Sequence, residues 1–76
     1  MADRILSTLG MKCPRPLFAV HKQMKLLEVG EVLEVCADDP AFKPDIQAWC
    51  RRTGHELVDL RRETDRFVAT IHKKHT

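Results

Sequence analysis

Apolar and polar residues first alternate along this chain and then change to a helical spacing. Arg4–Leu9 is short and partly alternating, which predicts a first strand that ends at Gly10. Beyond Pro14 the apolar residues recur at intervals of three, four and three, at Leu17, Val20, Met24 and Leu27. This spacing places them on one helical face, so a first helix is predicted from about Pro14 to about Glu28. Gly30 fits the left-handed position that ends a helix.

The same two spacings return in the middle of the chain. Glu31–Ala37 alternates and predicts a second strand with one buried face. A second helix is predicted between Phe42 and Gly54, where the glycine ends it. Its apolar stripe contains Phe42, Ile46, Trp49, Cys50 and Thr53. Pro44 is compatible with this helix only in the first turn, where its missing N–H costs nothing.

Two more alternating segments, Glu56–Arg62 and Arg66–Lys73, predict a terminal hairpin, and the polar residues 72–76 are expected to fray. The order is therefore strand, helix, strand, helix, strand, strand. Right-handed crossovers predict that the first three strands run in parallel, with the last one antiparallel. Two helices can cover only one face of four strands. The predicted fold is an α/β (α+β) two-layer sandwich, with a four-stranded mixed sheet, both helices on one face and the other face partly open.

Composition limits the classes of function. A chain of 76 residues and 8.8 kDa predicts a single domain, 1–76, with no room for a separate cofactor domain, so no cofactor is expected. Hydrophobic residues make up 43% and charged residues 32%, which is typical of a soluble globular protein. The net charge of +2 does not require nucleic acid. Aromatic residues make up 5%, which argues against a surface that stacks bases.

Cysteine usage indicates the compartment. The three cysteines, Cys13, Cys36 and Cys50, are odd in number and widely spaced, which argues against a secreted disulfide framework. The N-terminus lacks the features of a signal peptide, and no apolar window approaches the length of a membrane span. A cytoplasmic protein with free thiols and no membrane contact is therefore expected.

One segment, Gly10–Pro16, carries the candidate chemistry. It is predicted at a strand-to-helix junction on the carboxyl edge of the sheet, where open α/β sheets place their ligand and active sites. Cys13 is expected at or beside the N-cap of the first helix, with Pro14 at position N1 and Pro16 at N3. The two prolines would stiffen the loop and so hold the thiol in place.

Positive groups are expected around this thiol. The backbone amides of Arg15 and Leu17 are expected to point at the sulfur of Cys13, and Lys12 and Arg15 flank it. A helix N-terminus favours an anion by about 0.3–1 kcal/mol, which is less than about one pKa unit. The two cations are expected to act in the same direction. The sequence therefore predicts a Cys13 thiolate that is available near neutral pH.

The residue three positions after Cys13 bears on the type of thiol chemistry. A redox pair would have a second cysteine there, but that residue is Pro16. This disfavours a thiol–disulfide oxidoreductase, and it would allow a persulfide on Cys13 to survive. The local chemistry alone leaves two alternatives open: a reactive nucleophile, or an inert buried cysteine at the start of a helix.

The segment Cys13-Pro14-Arg15-Pro16 resembles the Cys-Pro-x-Pro signature of the TusA-like, or SirA-like, sulfur-carrier proteins. The similarity covers about Leu6 to Ile71 and includes Gly30-Glu31, Asp38-Asp39-Pro40, Asp45-Ile46, Trp49-Cys50 and Gly54-His55-Glu56-Leu57. The resemblance implies the same two-layer fold, and a sulfur-accepting Cys13 that carries a persulfide. Arg15 and Ser7 depart from the pattern, because many members have acidic residues there. These departures bear on the choice of partners.

The resemblance also implies partners. The donor would be a cysteine desulfurase or a rhodanese-like enzyme, and the acceptor a relay protein of tRNA 2-thiouridine synthesis, sulfur oxidation or cofactor synthesis. The protein would be a sulfurtransferase in the broad sense, because a domain this small is expected to lack a pocket large enough for sulfur activation. The weakly basic pI and the pairs Arg51-Arg52 and Arg61-Arg62 leave an alternative. This alternative is a non-catalytic regulatory module that contacts protein or RNA.

The remaining cysteines and histidines favour structural roles. Cys50 and Trp49 are expected in the core, because they lie on the apolar stripe of the second helix. Cys36 is either a second functional thiol near the carboxyl edge or a residue of the open sheet face, and the open face is favoured. His72 and His75 have no thiol or carboxylate partners nearby in the sequence, so no metal site is predicted and a solvated tail is expected.

Overall fold

The fold is described from a computed structural model, which covers residues 2–75. It contains six elements: β1 (Arg4–Ser7), α1 (Arg15–Leu26), β2 (Val32–Ala37), α2 (Phe42–Thr53), β3 (Glu56–Glu63) and β4 (Arg66–His72). Their order is the predicted one, and most boundaries agree within two residues. No helix in this part of the chain is long and apolar enough to cross a membrane.

The sheet has the strand order β1-β2-β4-β3. β1 pairs with β2 in parallel, whereas β4 is antiparallel both to β2 and to β3. The first three strands therefore point in the same direction, as predicted, but β4 lies between β2 and β3. The predicted fold class, a mixed four-stranded sheet with two helices, is confirmed.

The core lies between the two helices and one face of the sheet. Alternate residues of the two central strands are buried there, namely Leu33, Val35, Ala37, Ala69 and Ile71. The helices contribute the apolar stripes that their sequence spacing predicted. Trp49 and Cys50 are only 5% and 3% exposed, so the prediction that both belong to the core is confirmed. On the opposite face Ile5 is 72% exposed, which agrees with a partly open face.

Two glycines were expected to end helices, and one of them does. Gly54 follows α2 in the left-handed conformation (φ +84°), and its N–H donates to the carbonyl of Cys50. Gly30 also has a positive φ of +96°, but α1 has already ended, because the backbone of Leu27 is extended. The N–H of Gly30 instead donates to the carbonyl of Lys73 and so guides the chain into β2.

The expectation of a frayed, solvated tail is wrong for His72 and Lys73, whereas Lys74 and His75 are exposed as expected, and Thr76 lies outside the described residues. Lys73 is 6% exposed, and its Nζ donates to the carbonyl oxygens of Met24 (2.6 Å) and Leu27 (2.5 Å). His75 stacks on His55, with ring centroids 4.6 Å apart. The physical reason is that the carbonyls at the end of α1 lack a full set of partners within the helix, and Lys73, which directly follows β4, supplies additional donors.

We expect Cys50→Ala to lower the free energy of unfolding by about 1–2 kcal/mol, because it removes a buried side chain from a packed core. Denaturant unfolding of the variant and the wild type measures the difference. Cys36→Ala is the matched control, since Cys36 lies half-buried on the open face and should cost less. A larger loss for Cys36→Ala than for Cys50→Ala would contradict this assignment of the core.

Candidate functional site

The loop between β1 and α1 lies at the carboxyl ends of β1 and β2, as the sequence predicted. It begins with Thr8, which is buried, and both its N–H and its hydroxyl donate to the carbonyl of Cys36. The N–H of Gly10 then donates to the carboxylate of Asp38, at 3.1 Å from each oxygen. The loop is thus fixed to the segment that follows β2.

Cys13 is held by a second contact to the same segment. Its backbone N–H donates to Oδ2 of Asp39 at 2.6 Å, while Oδ1 of Asp39 accepts the N–H of Ala41 at 3.1 Å. Asp39 therefore connects the loop that carries the thiol to the residue that precedes α2. The Cys13 side chain is half-buried and packs against the edge of the core.

The start of α1 differs from the prediction. Pro14 is the N-cap, so Arg15 is at N1 and Pro16 at N2. The N–H of Arg15 donates to the carbonyl of Lys12, and that of Leu17 donates to the carbonyl of Pro14, both at 3.0 Å. The expectation that these two amides point at the sulfur of Cys13 is therefore wrong. Residues Lys12 to Arg15 form a turn before the helix, and the N–H of Arg15 is hydrogen-bonded within this turn.

The predicted low pKa of Cys13 is also wrong. The pKa of this thiol is raised to about 11. Burial is the largest cause, followed by a hydrogen bond to Asp45 and the negative charges of Asp39 and Asp45. The hydrogen bonds from the Cys13 and Ala41 amides lower the pKa of Asp39, and the charge of Lys12 adds to this. Cys13 is thus a neutral thiol beside two carboxylates.

Asp39 and Asp45 are the residues of this site that the sequence prediction missed. The sequence could have indicated Asp39. The segment Asp38-Asp39-Pro40 directly follows β2, and the carboxyl ends of the parallel strands β1 and β2 lie at the same edge of the sheet as the Cys13 loop. Asp45 lies in the first turn of α2. Periodicity places it near the start of a helix but does not say which loop that helix end faces.

The other two cysteines are not part of this loop. All three are free thiols. Cys36 lies in β2 opposite Ser7 and Val68, on the open face, as the sequence favoured. Cys50 is buried, and burial raises the pKa of its thiol to about 11.

The molecule has a large cavity, but Cys13 does not line it. The cavity measures about 670 Å³ and lies at the C-terminal ends of the two helices. This cavity does not include Cys13, so the expectation that the domain lacks a pocket large enough for sulfur activation stays a prediction. The thiol itself is half-buried in the loop that precedes α1.

Comparison with known proteins shows the family. Residues 4–73 match the family model described as Sulfurtransferase TusA. The chain belongs to the TusA family. The resemblance that the Cys-Pro-x-Pro segment indicated is thereby confirmed.

Relatives of this TusA-family chain carry the same kind of name. The sulfur carrier protein TusA of Pseudomonas putida is 36% identical over 72 residues, which cover 95% of this chain and 90% of that protein. TusA of Pseudomonas aeruginosa is 38% identical over 72 residues, with 95% and 91% covered. The crystal structure of a SirA-like protein from Desulfitobacterium hafniense has a TM-score of 0.81 at 22% identity, and covers 95% of this chain and 99% of its own. It supports the fold.

Proposed function

We propose that this protein is a sulfur carrier that accepts a sulfane sulfur on Cys13 as a persulfide and passes it to an acceptor protein. The observation that carries the proposal is the place of Cys13. It is the thiol in a fixed loop at the carboxyl edge of the sheet, whereas Cys50 is in the core and Cys36 lies within a strand. Membership of the TusA family supports the carrier role.

The transfer step balances without an external oxidant. The Cys13 sulfur loses its proton and attacks the outer sulfur of a persulfide on the donor protein. A sulfur–sulfur bond forms to Cys13, the sulfur–sulfur bond of the donor breaks, and the donor cysteine leaves as a thiolate that takes up a proton. Delivery to the acceptor transfers the same outer sulfur to a nucleophile of the acceptor and restores the Cys13 thiol.

A carrier must also keep its cargo between the two encounters. A neighbouring thiol would attack the inner sulfur of the persulfide and expel the outer one. The position three residues after Cys13 is Pro16, which is buried at the start of α1. Cys50 is enclosed in the core and Cys36 lies on the open face, so neither is placed beside the loop sulfur.

The proposed partners follow from the carrier role. A cysteine desulfurase or a rhodanese-like enzyme supplies the sulfur, because this chain is a sulfurtransferase without its own sulfur-activating site. An acceptor relay protein receives it for tRNA 2-thiouridine synthesis, sulfur oxidation or cofactor synthesis. Three free thiols suit a reducing compartment, so we place the carrier in the cytoplasm.

A loading experiment tests the proposal. The purified protein is incubated with a cysteine desulfurase and L-cysteine, or with a rhodanese and thiosulfate, and its intact mass is measured. We expect a gain of one sulfur atom that is lost on reduction with dithiothreitol. No gain with either donor would contradict the carrier role and favour the alternative, a non-catalytic module that contacts protein or RNA.

Arg15 is expected to select partners more than it activates the thiol. It is exposed at the first position of α1. We expect Arg15→Glu to slow sulfur transfer with the native partner roughly 3–10-fold at low salt and less at high salt, because an exposed charge steers association. Stopped-flow transfer rates at two salt concentrations measure this effect.

The rate at which iodoacetamide alkylates Cys13 provides the comparison for Arg15→Glu. We expect the substitution to change this alkylation rate much less than the transfer rate. Arg52→Glu is the matched control, since Arg52 is an exposed arginine in the last turn of α2. If Arg15→Glu changes transfer and alkylation by the same factor, Arg15 acts on the thiol and its role in docking is wrong.

A further inference from the structure

The large cavity is separate from the sulfur site. Cys13 precedes α1, whereas the cavity is lined by residues at the other end of this helix and by the end of α2. A helix of 12 residues is about 18 Å long, so α1 separates the two sites along the molecule. The volume of about 670 Å³ lies within the range of sites for small molecules, about 300–1,000 Å³.

One wall of the cavity is aromatic. The Trp49 and His55 rings stack with centroids 5.7 Å apart, and His55 stacks in turn on His75. His75 is also held at the end of α2, because its Nε2 lies 2.6 Å from the carbonyl oxygen of Thr53. Met24 of α1 and Leu27, which directly follows α1, line the opposite side with apolar groups. A flat ring can lie between these surfaces and bury its faces.

A buried cation lines the same cavity. The ammonium group of Lys73 has three donors, and two of them bind the carbonyls of Met24 and Leu27. Among residues 2–75, Lys73 Nζ forms these two hydrogen bonds and no third one, so one donor is available to a ligand. Lys25 adds a second positive charge at the rim, and Glu28 is the acidic residue of the lining. The lysine and glutamate side chains of the lining therefore carry two positive charges and one negative charge.

We propose that this cavity is a binding site for a small ring-bearing carboxylate. Its ring would pack against the Trp49–His55 stack, and its carboxylate would meet Lys73 and Lys25. An anion would accept the remaining donor of a buried ammonium, which is otherwise costly to leave unmatched. The site does not involve Cys13, so a ligand and a sulfur-transfer partner can occupy the protein together.

The probe is 1-naphthoate, titrated into the ¹⁵N-labelled protein without any sulfur donor. We expect saturable shifts of the Trp49 indole N–H and of amides around the cavity, with a dissociation constant of about 1 mM or lower. The neutral isostere 1-naphthamide should bind about tenfold more weakly, since it lacks the charge. The measurement uses the free thiol, so its outcome is independent of sulfur loading.

Lys25→Gln is the first variant, because an exposed lysine can be replaced without loss of the fold. It should weaken 1-naphthoate two- to fivefold, whereas the control Lys43→Gln, at the start of α2, should not. Lys73→Met should remove most of the binding if it remains folded. Equal binding of 1-naphthoate and 1-naphthamide would overturn the proposal. So would unsaturable shifts, or shifts confined to the Cys13 loop.

Discussion

Cys13→Ser is expected to abolish sulfur loading by a donor enzyme while leaving the fold intact. A serine oxygen cannot form the sulfur–sulfur bond of a persulfide, so the variant has no acceptor atom at the loop. The half-buried side chain and its backbone contact to Asp39 tolerate a small hydroxyl residue. Intact mass after incubation with the donor measures the loss, and far-UV circular dichroism with denaturant unfolding checks the fold.

The other two thiols provide the controls for this result. Cys36→Ser and Cys50→Ala should both load to the wild-type level, because neither residue lies in the Cys13 loop. Full loading of Cys13→Ser would place the accepting sulfur elsewhere. Loss of loading in Cys36→Ser alone would make Cys36 the acceptor, despite its position on the open face.

Asp45→Asn is expected to make Cys13 more reactive, which is the second large effect. Burial and the two neighbouring carboxylates raise the pKa of Cys13 to about 11, so at pH 8 the wild type is almost entirely the unreactive thiol. Removing one negative charge favours the thiolate and moves the midpoint of the alkylation profile to lower pH. We expect roughly tenfold faster alkylation at pH 8, since one pKa unit changes the thiolate fraction about tenfold there.

Iodoacetamide alkylation rates between pH 7 and pH 11 test this prediction. Asp38→Asn is the matched control: its carboxylate lies in the same segment but binds the N–H of Gly10. Asp39→Asn should also speed alkylation, with some loss of stability, because it weakens the bond that holds Cys13. An Asp45→Asn profile equal to the wild-type profile would show that Asp45 does not contribute to the raised pKa of the thiol.

The carboxylates have a consequence for the resting carrier. Oxidation and alkylation need the thiolate, so a carrier that keeps Cys13 protonated reacts slowly with small oxidants between encounters. Under the proposed function, the donor would then have to promote loss of the proton within the complex. A comparison of transfer and alkylation rates in Asp45→Asn separates these two contributions.

The two helices and four strands could be predicted from the sequence because the apolar spacing changes with each element. Intervals of three and four identified the buried faces of α1 and α2, and alternation identified β2 and β4. The position of β4 between β2 and β3 was decided by tertiary structure. The two strands of a hairpin pair with each other, but the spacing of apolar residues does not show which of the two also pairs with a third strand. Here β4 is the strand that also pairs with β2.

The sequence by itself determined the thiol and its place at a strand-to-helix junction. It did not determine the charge around that thiol. Lys12 and Arg15 are close to Cys13 along the chain, but the carboxylate of Asp39, 26 residues later, contacts it in the fold. Electrostatic effects depend on distance in space and on burial, so only the tertiary structure could reverse the predicted pKa shift. The same reason explains Lys73, whose ammonium donates to the carbonyl of Leu27, 46 residues earlier and directly after α1.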